Sequence, residues 1–119
     1  MMLDWNGYRQ QVLAMVAELG RSTPGTVRGY RELSNAGTAK DLLGAKTREL
    51  IALAVAVTRQ CDGCITIHMD AALKHGATRD EIAEALGVAI AVNAGAALVY
   101  STRALDAYAA TAAESEPSP

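Results

Sequence analysis

Two cysteines, a histidine and a glutamate are the residues of this chain whose types and spacing suit covalent and proton chemistry. Cys61-Asp62-Gly63-Cys64 is a Cys-x-x-Cys motif, and His68 follows Cys64 by four residues. On a helix these three stand at i, i+3 and i+7 and share one face. The motif sits where a helix begins, and the partial positive charge of a helix N-terminus favours thiolate over thiol. Thiolate is the reactive form. Gly63 keeps the space between the sulfurs small, so the pair can close into a disulfide and reopen. Glu49 lies 12 residues before Cys61, at the start of the apolar run LIALAVAV. A carboxylate partly desolvated beside such a run suits a proton relay with His68.

The elements that must hold these residues all read as helices. Tyr8, Val12, Met15, Val16 and Leu19 recur at helical spacing over residues 4–19, and Gly20 is the expected stop. Thr23-Pro24 is a start signal for a second helix to about Asn35, with Gly37 beyond it. Residues 38–44 form a connector with room for one helical turn. Thr47 to about Arg59 is a strong helix, and Asp62 to about Lys74 is the next, closed by His75-Gly76. Thr78-Arg79-Asp80-Glu81 is a capping box that opens a long helical region to about Ala110, with a break expected near Asn93–Gly95. ESEPSP reads as tail. The expected fold class is all-α, one domain over residues 1–112, followed by a disordered tail over 113–119.

The spacing Glu49-x11-Cys61-x2-Cys64-x3-His68, with KTRELIALAVAV before the cysteines and HMDAALKHGATRDEIAEAL after them, resembles the carboxymuconolactone decarboxylase superfamily, in its AhpD-like alkylhydroperoxidase branch. The resemblance covers about residues 38–110. It implies a compact domain of about six helices that assembles into homotrimers or homohexamers. It also implies roles: Cys64 as the nucleophile that attacks a hydroperoxide, Cys61 as the resolving thiol, and His68 with Glu49 as the relay. The resulting disulfide is reduced by an external dithiol, either a lipoyl group or a thioredoxin-like protein, and no bound cofactor is implied. Some relatives carry a further His between the cysteines, where this chain has Asp62 and Gly63. The Asp62 charge opposes thiolate formation and weighs against strong peroxidase activity.

Composition bounds the remaining classes. The 119 residues include 24 alanines, one Trp and no Phe, so large core residues are few and a partner subunit is expected to supply burial. Net charge is −2 with no basic run, which gives no support for a nucleic-acid partner. Residues 85–102 lack charge, near the minimum for a membrane span. Eight of those 18 positions are Ala or Gly, and Asn93, Ser101 and Thr102 interrupt them, so a buried oligomer helix is the expected reading and no membrane partner is expected. The N-terminus MMLDWNGYRQQ has no continuous apolar segment, and a cytoplasmic location is expected. In that reducing compartment a close cysteine pair is catalytic or metal-binding rather than a staple. A zinc site lacks a fourth ligand, because His75 lies ~10 Å along the helix from His68. No metal is therefore expected. The leading function is a thiol-dependent hydroperoxide or disulfide reductase. The alternatives are a carboxymuconolactone-type decarboxylase and a non-catalytic redox-sensing subunit.

Overall fold

A chain-stopping proline and three well-formed helix caps divide the sequence. The computed structural model describes residues 1–117. Helix α1 spans Trp5–Ser22, with the Asp4 side chain accepting a hydrogen bond from the Gly7 N–H at 3.2 Å. The expected stop at Gly20 is incorrect: the helix continues two residues further. Pro24 is what ends it, since the residue before a proline is driven out of the helical region, and Thr23 has φ −138° and ψ 72°. Helix α2 spans Pro24–Asn35 with Pro24 in its first turn, and a 3₁₀ turn, Ala36–Ala39, follows.

Helix α3 spans Ala45–Thr58 and helix α4 spans Asp62–Lys74, while α5 runs from Arg79 to Ser115. The start of α5 is the expected capping box. The Glu81 N–H donates to Thr78 Oγ1 at 3.1 Å, and the Thr78 N–H donates to Glu81 Oε1 at 3.0 Å. Lys46 reaches across from α3 to Glu81 at 2.8 Å. That ammonium, with the Thr78 donors, holds the Glu81 carboxyl down at about 2.

Two expectations for α5 need correction. No break occurs near Asn93–Gly95, because the flanking alanines favour helix and the Asn93 amide is held within the fold. It donates to the Ala89 carbonyl one turn back and to Thr58 Oγ1 at the end of α3, both at 2.8 Å. The tail expected from residue 113 is still helical to Ser115, since Ala109, Ala110, Ala112 and Ala113 continue the helix until Pro117 approaches. Residues 118–119 of that expected tail lie outside the described residues. The fold is thus all-α, with five α-helices and one 3₁₀ turn among the described residues.

The core is small. Leu53, Ala72, Ala77 and Ile82 are buried together, with Leu50, Met69 and Leu86 packed against them. It therefore lies where α3, α4 and the first turns of α5 meet. Helix α1 packs on α2 and on α4, while α5 packs chiefly on α3. The molecule is elongated, 69 × 39 × 37 Å, with a radius of gyration of 21.0 Å. A compact chain of this length has a radius of about 13 Å.

Candidate active site

The site is placed by the way α3 ends. Arg59 is the C-cap and Gln60 takes a left-handed conformation, φ 52°. The Cys61 N–H then donates to the Ala56 carbonyl at 3.1 Å, and the Gln60 N–H to Val57 at 3.2 Å. These two bonds form a Schellman motif, and it delivers Cys61 directly to the N-cap of α4. The Cys61 sulfur accepts from the Cys64 N–H at 3.2 Å, the position an N-cap Ser or Asp oxygen would take.

Cys61 and Cys64 are joined by a disulfide, with α-carbons 5.2 Å apart. Both are half-buried. Val12 of α1 approaches the first turn of α4: a β-carbon on Gly63 would lie 3.6 Å from it, ordinary contact. Helix α1 therefore lies against the first turn of α4, and Cys61 is tied to the end of α3.

His68 is one turn past Cys64 on the same face of α4. Its Nδ1 makes a 2.7 Å hydrogen bond with Glu49 Oε2, from the second turn of α3. The two side chains are 28% and 22% exposed, so the pair is sheltered without being sealed from water. An ionised carboxylate only accepts hydrogen bonds. The Nδ1 atom therefore carries the hydrogen, and in the neutral imidazole Nε2 is the basic nitrogen. The structure thus places the two cysteines at the α3–α4 junction, bonded to each other, and bonds His68 to Glu49 further along the same pair of helices. His75, at the C-cap of α4, is exposed and apart from them.

The periodicity of α1 did not reveal its role as a wall of α4. The Thr66 hydroxyl, 3% exposed, donates to the Trp5 carbonyl at 3.1 Å and accepts from Arg9 at 3.4 Å. Arg9 also bonds Asn6 at 3.1 Å and stands 3.9 Å from Asp70. These residues border a cavity of about 480 Å³ that Ile65, Met69 and Leu73 also line. The available signal was Thr66 itself, a polar residue between Ile65 and Ile67 on an otherwise apolar stretch.

The sequence of residues 24–107 matches the model of the carboxymuconolactone decarboxylase family. The chain belongs to this family. An uncharacterised protein of Haemophilus influenzae is 48% identical over 108 residues, covering 91% of this chain and 96% of that protein. A second, from Cupriavidus necator, is 37% identical and covers 73% of this chain and 77% of its own length. Among solved structures, the apo form of a carboxymuconolactone decarboxylase family protein from Legionella pneumophila superposes with a TM-score of 0.71. It is 36% identical, over 87% of this chain and 93% of that one. The family match begins at the proline that opens α2, so α1, which packs on α4, lies outside it.

Proposed function

We propose that this family member is a thiol-dependent oxidoreductase of the AhpD-like branch, reducing organic hydroperoxides or disulfides through a Cys61–Cys64 dithiol/disulfide cycle. The observation that carries the reading is the cysteine pair at the head of α4 together with the His68–Glu49 hydrogen bond between the same two helices.

In the reduced protein, Nε2 of His68 takes the Cys64 proton and Glu49 stabilises the imidazolium through Nδ1. The Cys64 thiolate attacks the terminal oxygen of the hydroperoxide. The O–O bond breaks, the alcohol leaves with the proton, and Cys64 becomes a sulfenic acid. Cys61 then attacks that sulfur and water departs, leaving the disulfide. The Cys64 N–H and the N-terminal end of α4 stabilise Cys61 as a thiolate. That suits it both as the resolving nucleophile and as the leaving group when an external dithiol attacks Cys64. A lipoyl group or a thioredoxin-like protein is the proposed reductant, with no bound cofactor or metal. The protein is proposed to be cytoplasmic, with no membrane or nucleic-acid partner.

Helix α5 is long and apolar enough to cross a membrane by length and composition, yet Ile82 and Ala89 in its first half are buried in the fold. We read its remaining apolar surface as an interface of a homotrimer or homohexamer. Family membership also supports decarboxylation of a carboxylated lactone, a reaction that does not call on the dithiol.

The test is hydroperoxide consumption with a dithiol donor, run beside Cys64→Ser and a double cysteine variant. Turnover in the native protein and loss of more than about 10³-fold in Cys64→Ser are expected, as for removal of a covalent nucleophile. Absence of turnover with every dithiol would favour the redox-sensing subunit. A lactone decarboxylation that survives the double cysteine variant would favour the decarboxylase.

A further inference from the structure

The second half of α5 leaves the fold. Beyond Asn93, which is tied to Thr58, the helix continues to Ser115 with its large side chains exposed: Leu98 73%, Leu105 72% and Tyr108 72%. Asp106, Ala107, Ala110, Ala113 and Glu114 fall on one side of this arm at helical spacing, a flat and acidic face, while Leu98, Leu105 and Tyr108 fall on the other. From Ala104 to Glu116 the arm carries three acidic residues and no basic one.

Helices α1 and α2 form a groove of about 670 Å³. Its floor is small and apolar, with Ala17, Gly20, Pro24 and Val27 along it. Arg21, Arg28 and Arg31 line it, with Glu32 as the one acidic residue among them. Among the described residues none of the three arginine side chains makes a hydrogen bond or ion pair, and neither does the side chain of Asp106 or Glu114. The floor suits the flat, alanine-rich side of a helix, since small residues on both sides let backbones approach closely.

The protein exposes 9306 Å². A compact chain of this mass exposes about 6,100 Å², and a stable association covers about 800 Å² on each partner. The excess surface is thus several times what one interface requires. We infer that the acidic end of α5 from one copy docks into the arginine-lined α1–α2 groove of another copy. This rests on the homo-oligomeric reading above and adds which surfaces meet.

The experiment is light scattering across a dilution series, with circular dichroism to confirm helix content. Arg28→Glu with Arg31→Glu should weaken self-assembly at least about tenfold, and Asp106→Arg with Glu114→Arg should do the same, because like charges then face each other. Combining all four substitutions should restore assembly. Should the reversals disturb folding, Arg28→Gln with Arg31→Gln gives the milder form of the same test, with weaker assembly at low salt. Assembly indifferent to either groove variant, or folded reversals that the four-fold combination fails to rescue, would overturn the docking while leaving the oligomer intact. A native protein that is monomeric at tens of micromolar would overturn both.

Discussion

At the junction of α3 and α4, the polar groups are satisfied by this chain: Cys61 by the Cys64 N–H and the Ala56 carbonyl, His68 by Glu49, Thr66 by Trp5 and Arg9. Among the described residues no buried side-chain nitrogen or oxygen lacks a partner. The second half of α5 is the reverse. It is helical because alanine favours helix, yet beyond Asn93 its hydroxyls bond only its own carbonyls, as Ser101 does to Ala97 at 2.6 Å. One region obtains its shape from tertiary contacts within the chain. The other obtains its helix from local propensity and leaves its packing to be completed elsewhere. In folded proteins most helical stability comes from packing of an apolar face rather than from propensity, so the contrast separates what a single copy determines from what the proposed assembly would supply.

The sharpest way to break the contrast is to delete one leucine from each region. Leu53 is 1% exposed at the centre of a core with few large residues. Leu53→Ala should cost about 3–5 kcal/mol of unfolding free energy, from lost transfer energy and a cavity that rigid neighbouring helices cannot fill. Leu105→Ala should change the unfolding of a dilute, dissociated sample by less than about 0.5 kcal/mol, as for a surface site, and should act on assembly instead. Urea denaturation at low and high protein concentration measures both. Equal costs at every concentration would show that the arm folds back on its own chain.

The next effect is kinetic and falls on the relay. Glu49→Gln and His68→Ala should each slow oxidation of the reduced dithiol by roughly 10², the scale of a lost general base. The double variant should be little slower than either single one, because the two groups act as one unit. Stopped-flow oxidation of the reduced protein from pH 5 to 9, with alkylation of Cys64 in parallel, provides the reading. Native rates in both single variants would leave Cys64 activated by the helix terminus alone, and the 2.7 Å contact would be structural.

Local signals in the sequence located the site region well and the packing poorly. The Cys61–Cys64 spacing, the Thr78–Glu81 capping box and Pro24 each act within one or two turns, and the structure places helix boundaries at each. Gly20 misled because a glycine can be tolerated inside a helix, here beside Val27 of the next helix at 3.6 Å from where its β-carbon would be. Asn93 misled because its amide is satisfied by Ala89 and Thr58, and the second of these is a tertiary contact 35 residues away. The packing of α1 on α4 was invisible for the same reason. Nothing in the period of α1 says that Trp5, Arg9 and Val12 meet α4 rather than another helix.

The smallest effect compares two helix ends of the same design. Helix α4 closes with Gly76 at φ 83°, and the Ala77 N–H donates to Ala72 at 2.9 Å and the Gly76 N–H to Leu73 at 3.1 Å. Helix α3 closes with the same pair of bonds, but Gln60 occupies the left-handed position at φ 52° immediately before Cys61. A side chain there costs about 1 kcal/mol relative to a right-handed conformation. Glycine avoids that cost but loses more freedom on folding. Gln60→Gly should therefore stabilise the protein by a net ~0.5 kcal/mol. Gly76→Gln, with open space where a β-carbon would stand, should destabilise it by the same ~0.5 kcal/mol, the opposite sign at an equivalent site. Urea midpoints of both variants, measured with the Cys61–Cys64 disulfide intact and again with it reduced, make the comparison. With the disulfide reduced, the gain from Gln60→Gly should persist, because the αL penalty belongs to the backbone of Gln60 rather than to the sulfur pair. Destabilisation by Gln60→Gly in both states would mean that the Gln60 side chain holds a contact outweighing its backbone cost, and the two helix ends would then differ in more than their central residue.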